Sequence, residues 1–174
     1  MTASPLSSTA NSLLLHSLSI VGFGLMAGFF WAYSANVNIA MLQMDAATYA
    51  TVQSAFNRNV RHALFFTFFF GPPAVAALAL AAAWQDWRQG WFVTLAVSAL
   101  LYLLGIIVFT AQVNLPLNAH TESWNPASVP DNWQEIRKRW NSANLWRAWA
   151  SASCFALATL ALARRAISIA SARQ

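Results

Sequence analysis

A row of aromatic, cationic and amide side chains is the part of this chain best suited to chemistry. Trp133, Arg137, Trp140, Asn144 and Arg147 follow one another in steps of three or four residues. On a helix, residues at this spacing lie on one face and form a stripe. In this stripe the two indoles can stack on other rings, the two guanidiniums carry charge, and the amide donates hydrogen bonds. A helix face that only packs against a neighbour does not need these properties. The stripe therefore predicts a binding site.

Two further amides precede this stripe. Asn114 and Asn118 flank Pro116 in the segment Asn114-Leu-Pro-Leu-Asn118. Proline lacks an N–H group and restricts the residue before it, so a structural role for both amides is the alternative to a binding role. Arg147 is harder to explain structurally. It lies at the start of an apolar run, where a guanidinium is costly unless it is paired, hydrated or able to reach the interface.

The composition indicates a membrane protein. Of the 174 residues, 58% are apolar and 9% are charged, against about 25% charged in a typical soluble domain. Four apolar runs, at about 13–35, 63–83, 91–111 and 145–163, are each close to the roughly 20 residues that cross a bilayer as a helix. We therefore predict an all-α fold, a four-transmembrane-helix bundle with a short additional helix at 131–141, in the loop between helices three and four.

The predicted domain organisation is simple. Residues 1–12 are rich in Ser and Thr and predict a disordered tail, residues 13–165 form a single four-helix membrane domain, and residues 166–174 form a basic tail. Arg164, Arg165 and Arg173 suit anionic lipid headgroups. The positive net charge thus indicates membrane lipid as a partner and no nucleic acid. The expected location is the bacterial inner membrane.

Four crossings sort the chain into two ends. The loops after the first and third crossings emerge on one side, which we call the mouth, and both termini emerge on the other. The mouth contains almost all residues whose side chains could bind a ligand or take part in catalysis. They include His62, His120 and the Asn114–Arg147 segment. A site at the mouth is the expectation.

The same residues resemble a known family. Asn114-Leu-Pro-Leu-Asn118, followed by Trp133, Ile136, Arg137, Trp140, Asn144 and Arg147 at these distances, is similar to the signature of the anthrone oxygenase-like membrane proteins, also called DUF1772. Gly24-xx-Ala27-Gly28 and the four-crossing layout extend the resemblance. One departure is that members often carry an acidic residue after the second Asn, where this chain has Ala119-His120.

The resemblance implies an oxygenase activity that needs no evident cofactor. Fungal members oxidise anthrones to anthraquinones with molecular oxygen. Such chemistry needs a base to remove a methylene proton, a donor for the oxyanion and flat apolar walls. The candidate catalytic residues are His62, His120 and Arg147; the candidate substrate-binding residues are Asn114, Asn118, Trp133, Arg137, Trp140 and Asn144. The alternative for His62, beside Arg61 at a helix end, is a plain interfacial position.

Two other functions stay open at this stage. No metal site is predicted, although His62 and His120 with Met or carboxylate ligands leave a metal- or haem-dependent oxidoreductase open. The lone thiol, Cys154, offers no cysteine cluster. A second class is a non-catalytic membrane protein that binds a lipid, a quinone or another small aromatic ligand through the same Trp and Arg side chains.

Overall fold

The protein is all-α throughout the part that the structure describes. The computed structural model describes the backbone of residues 5–171 and the side chains of residues 10–171. Seven α-helices and three π-helical segments follow in order: α1 Pro5–Ala32, π1 Tyr33–Val37, α2 Asn38–Met41, α3 Ala46–Asn59, α4 Ala63–Ala82, α5 Gly90–Tyr102, π2 Leu103–Val108, π3 Thr110–Asn114, α6 Leu115–Glu122 and α7 Trp133–Ser171.

Four continuous helical stretches are long and apolar enough to cross a membrane. They span Ala10–Met41, Ala63–Ala82, Gly90–Glu122 and Trp133–Ser171. The predicted all-α bundle of four crossings is confirmed, and the chain is an integral membrane protein. Most of the large apolar side chains on the outer surface, such as Leu25, Leu78 and Leu100, are exposed because they face lipid.

The helix predicted at 131–141 continues into the fourth crossing. α7 begins at Trp133 and runs to Ser171, because no Gly or Pro interrupts that sequence. The two predicted tails are also largely helical where they are described, since α1 begins at Pro5 and α7 extends to Ser171. Residues 1–4 and 172–174, which belong to those tails, lie outside the described residues.

Helix α3 was not expected from the sequence. Its start is fixed by Asp45, whose carboxylate accepts hydrogen bonds from the backbone N–H of Thr48 at 2.9 Å and from the Thr48 hydroxyl at 3.0 Å. These bonds lower the pKa of Asp45. α3 packs on α6 at the mouth. It buries the polar residues Gln53, Ser54 and Asn57 there.

The opposite end of the bundle is tied together by buried arginine. Arg165 was expected to face headgroups with the basic tail, but it is 3% exposed. Its Nη2 donates to Ser12 Oγ at 2.9 Å, and its guanidinium lies 4.1 Å from the centroid of the Trp91 ring. Ser12 in turn donates to the Ala79 carbonyl at 3.0 Å. Arg165 and Ser12 therefore join all four crossings, whereas the neighbouring Arg164 is exposed.

Small residues let the first two crossings approach closely. A Cβ atom on Gly22 would lie 2.7 Å from Cγ of Pro72 in α4. A Cβ atom on Gly24 would lie 3.1 Å from the ring of Phe155 in α7. A Cβ atom on Gly28 would meet nothing within 4 Å. Gly22 is thus the position at which α1 most needs the absence of a side chain.

Candidate functional site

A cavity of about 330 Å³ opens at the mouth of the bundle. This volume lies within the range of about 300–1,000 Å³ that is typical of ligand sites. Its aromatic walls come from Phe29, Phe30, Tyr33, Phe56, Phe65 and Trp140. Its polar groups come from Asn57, Asn59, His62, Asn118, Asn144 and Arg147. None of the described lining residues is acidic, so the cavity carries an uncompensated positive charge.

Arg147 supplies that charge. Its side chain is 8% exposed, and its guanidinium lies 4.6 Å from the centroid of the Phe30 ring and 6.0 Å from that of Trp140. Nη2 donates to Oδ1 of Asn144 at 2.6 Å, whereas Nε has no hydrogen-bond partner among the described residues. A buried guanidinium without a carboxylate favours an anionic or electron-rich ligand.

Asn144 positions this arginine. Its Oδ1 accepts from Arg147, and its Nδ2 donates to Ser34 Oγ in π1 at 2.7 Å. Both ends of the amide are therefore in use. The three-residue step from Asn144 to Arg147 places both side chains on one face of α7, as the stripe predicted. Asn144 therefore fixes the position of the Arg147 guanidinium relative to π1.

Trp140 and Asn118 form a second fixed pair. The indole Nε1 of Trp140 donates to Oδ1 of Asn118 at 2.7 Å, and the Trp140 ring lies 5.3 Å from the ring of Tyr33. Because an indole only donates, the accepting atom of Asn118 must be its oxygen. The Asn118 Nδ2 then donates to no described residue and is available to a ligand. A row from Gln53 through Asn57 to Thr121 holds α3 over this pair.

His62 lies at the rim of the cavity as the N-cap of α4. Its Nδ1 accepts from the backbone N–H of Phe65 at 3.3 Å. A neutral imidazole whose Nδ1 accepts carries its proton on Nε2. His62 in this arrangement presents a hydrogen-bond donor at Nε2, and it accepts a further proton only by giving up its bond to Phe65.

His120 does not reach this cavity. It lies two positions beyond Asn118 on α6, which turns its side chain by about 200°. It lines a separate outer groove of about 900 Å³, together with Lys138 and Arg139 of α7. Its ring meets that of Trp124 edge-on at 5.7 Å. The two histidines at the mouth are thus on different sides of α6.

The first part of the stripe holds the loop after α2. Arg137 is 9% exposed and donates from Nη1 to the carbonyl of Met41 at 3.2 Å. Its guanidinium lies 4.5 Å from the centroid of Trp133 and 5.5 Å from that of Tyr49, whose pKa is raised by burial. Trp133 and Arg137 therefore stack beside the cavity and do not line it.

Asn114 is fully buried at the end of π3. Neither Oδ1 nor Nδ2 has a hydrogen-bond partner among the described residues, and the side chain does not line the cavity. A buried unpartnered amide is costly, typically by about 1–3 kcal/mol. π-helical turns are frequent at functional sites, and this segment contains one. The structure thus separates Asn114 from Asn118, which does line the cavity.

Several lining residues carried no sequence signal. Tyr33 lies near the end of the first apolar run and belongs to no motif. Phe29 and Phe65 pack at 5.5 Å, and Phe29 is also 41% exposed on a membrane-crossing helix. The cavity therefore reaches the lipid-facing surface between α1 and α4. An i, i+4, i+8 pattern at Tyr49, Gln53 and Asn57 was the signal that could have revealed α3.

The described residues hold no cluster of three or more His, Cys, Asp or Glu side chains suited to a metal ion. Cys154 is buried in the core, away from both histidines of the mouth. The donor groups at the cavity are thus amides, the Tyr33 hydroxyl, one imidazole and one guanidinium, which suit an organic ligand.

Comparison with known proteins gives one match. A family model described as anthrone oxygenase matches residues 63–157, which is 95 of the 174 residues. The match extends from the first residue of α4 into α7, and it includes Asn118, Trp140, Asn144 and Arg147. Neither the curated proteins nor the solved structures contain a match.

Proposed function

Because the chain belongs to the anthrone oxygenase family, whose model covers more than half of it, we propose that it oxidises an anthrone-like aromatic with molecular oxygen. The observation that carries this proposal is the buried, carboxylate-free guanidinium of Arg147 among aromatic walls. A flat substrate lies between these walls with its carbonyl oxygen toward Arg147. The corresponding location in a bacterium is the inner membrane.

The reaction balances without a cofactor. An anthrone loses a proton from its methylene carbon, and the resulting carbanion is delocalised onto the carbonyl oxygen. The carbanion forms a bond to one atom of O₂, and a hydroperoxide results once a proton is added. Cleavage of the O–O bond with loss of the second methylene hydrogen then releases water and leaves a new carbonyl group. One anthrone and one O₂ thus give one anthraquinone and one water.

Arg147 and Asn118 stabilise the charge that develops. Arg147 and the free Nδ2 of Asn118 donate to the oxyanion. Removing one donor of this kind from an oxyanion site typically costs about 10²–10³ in rate. Asn144 serves as a positioning residue, because its Oδ1 accepts from Arg147 while its Nδ2 donates to Ser34 Oγ.

His62 is the base in this proposal. It is the imidazole among the described lining residues, and imidazole is the side chain most often used as a general base. The methylene proton goes to Nδ1, and the Phe65 N–H bond is released in exchange. General bases typically contribute about 10²–10⁴ in rate. His120 is given no part in the reaction, because it lies on the other side of α6.

Oxygen uptake by membranes that contain the protein tests the proposal. With an anthrone substrate and a metal chelator present, we expect the wild type to consume one O₂ per anthraquinone formed. Arg147→Gln should lower turnover by about 10²–10³. Arg88→Gln, an exposed arginine at the other end, is the matched control and should turn over like the wild type. Full activity of Arg147→Gln contradicts the proposal, and loss of activity on chelation points to a metal enzyme.

The second candidate function is binding without turnover. The capping bond at His62 Nδ1 favours it, because this bond occupies the nitrogen that a base needs. A quinone or phenolate oxygen would then meet Arg147 in the same place. Tight binding of a hydroxyanthraquinone without oxygen uptake, unchanged in His62→Ala, would identify this function.

A further inference from the structure

The outer groove of about 900 Å³ between the third and fourth crossings has no part in the proposed reaction. Its walls are two facing stripes: Phe109, Val113 and Pro116 on one side, and Arg139, Ser142 and Trp146 on the other. Within each stripe the residues recur every three or four positions, so each presents one helix face to the groove. The groove is a lipid-facing feature, since Trp146 is 52% exposed.

The polarity of the groove changes along its length. At one end, the rings of Phe109 and Trp146 lie 5.8 Å apart, and Trp146 is fixed by its Nε1–H bond to the Gly105 carbonyl at 3.2 Å. At the other end lie His120, Lys138 and Arg139, with Glu135 as the one acidic lining residue. The eleven helical steps from Phe109 to His120 span about 16 Å, close to the half-thickness of a bilayer core of about 30 Å.

The basic residues at this end are not paired. The ion pair found among the described residues joins Arg61 to Glu122, and neither Lys138 nor Arg139 makes one. Both side chains are exposed. Two cations at the mouth end, above a mostly apolar channel as long as one leaflet, match an acidic headgroup above an acyl chain.

From this complementarity we propose that the groove binds one anionic phospholipid. The phosphate lies against Lys138 and Arg139, and an acyl chain runs along Val113 toward Phe109 and Trp146. The site is independent of the proposed oxidation, because the groove lies on the opposite side of α6 from the cavity.

Native mass spectrometry of the detergent-solubilised protein tests this site. With added phosphatidylglycerol, we expect one retained lipid per chain, and with phosphatidylcholine far less. Lys138→Gln/Arg139→Gln should weaken phosphatidylglycerol retention about thirtyfold, the effect expected for two basic residues near a lipid phosphate. Arg88→Gln/Arg164→Gln removes the same charge at the opposite end and should retain the lipid like the wild type.

A second variant addresses the acyl chain. Ser142→Trp places a bulky ring in the middle of the groove from an exposed position, so it should reduce retention while the fold persists. Equal retention of both lipids, or equal weakening in the two double variants, overturns the proposal. The proposal is also overturned if a second copy of the chain fills the groove without lipid. This would be seen as a dimer that Ser142→Trp dissociates.

Discussion

At the scale of single residues, the site depends on one positive charge and on the amides that hold it. Asn144 uses both ends of its amide, to Ser34 and to Arg147, and Asn118 uses its oxygen to fix Trp140. The guanidinium is thereby held in place without being neutralised. An arginine held by a carboxylate would be equally rigid, but it would no longer favour an anionic ligand.

Asn144→Asp tests that distinction. The new carboxylate would lie beside the Arg147 guanidinium and neutralise it, so we expect affinity for a deprotonated hydroxyanthraquinone to fall at least tenfold. The unfolding temperature should stay near that of the wild type, because the ion pair replaces a hydrogen bond. Asn141→Asp adds the same charge outside the cavity and serves as the control in fluorescence titrations. Unchanged affinity in Asn144→Asp would show that the ligand does not meet Arg147.

Two substitutions at His62 separate its role as the N-cap of α4 from its proposed role as a base. Asparagine is also a good N-cap, so His62→Asn should unfold at the wild-type temperature. Asparagine has no ring nitrogen that can accept a proton, so turnover should drop by about 10²–10⁴. His62→Ala should lose the cap as well, which typically costs about 0.5–2 kcal/mol. Wild-type oxygen uptake by His62→Asn would remove this residue from the mechanism.

At the scale of elements, the sequence predicted the crossings better than the parts between them. A bilayer core dictates the length and polarity of a crossing, so hydropathy locates such a helix directly. α3 has no such constraint and buries mostly polar groups, and therefore it produces no apolar period. The stripe is divided by position along α7, because the cavity lies beside its later turns, and the spacing of residues does not fix where along a helix a cavity lies. Hence Trp140, Asn144 and Arg147 meet at the cavity, while Trp133 and Arg137 stack beside it.

The contact between α1 and α4 gives a prediction at this scale. Gly22→Ala places a methyl group 2.7 Å from the rigid ring of Pro72, so the helices must separate. Overpacking of this kind costs about 1–3 kcal/mol. Gly28→Ala meets nothing within 4 Å and should benefit from the higher helix propensity of alanine. Equal unfolding free energies in detergent for the two variants would contradict the close approach.

At the scale of the whole molecule, polar groups are concentrated at the two ends and the apolar core joins them. The cavity and the groove are both at the mouth, whereas Arg165, Ser12 and Trp91 close the opposite end. The alternation of four crossings made the mouth predictable from the sequence. Which mouth residues line the cavity and which line the groove was not predictable, because residues close in sequence, such as Asn118 and His120, lie on opposite faces of one helix.

Site-directed labelling checks which positions lie at the mouth and which lie at the opposite end of the bundle. In a Cys154→Ser background, we expect Asn59→Cys and His120→Cys to react with an impermeant maleimide from one side of the membrane. Gln85→Cys and Ala170→Cys should react from the other side. Each of these positions is exposed. Reaction of positions 59 and 120 from opposite sides would exclude four crossings.

The π-helical segments have a consequence for how this architecture can vary. A π turn accommodates one residue more than an α turn, so π1 and π3 each contain a surplus residue next to the mouth. Loss of that residue would restore regular α geometry and change the local lining, while the helix on either side would keep nearly the same orientation, because the π turn already absorbs the extra residue. The lipid-embedded core on the other side of the segment would keep its register. Single-residue insertions and deletions are therefore a route by which such a bundle can change what its cavity presents without being rebuilt.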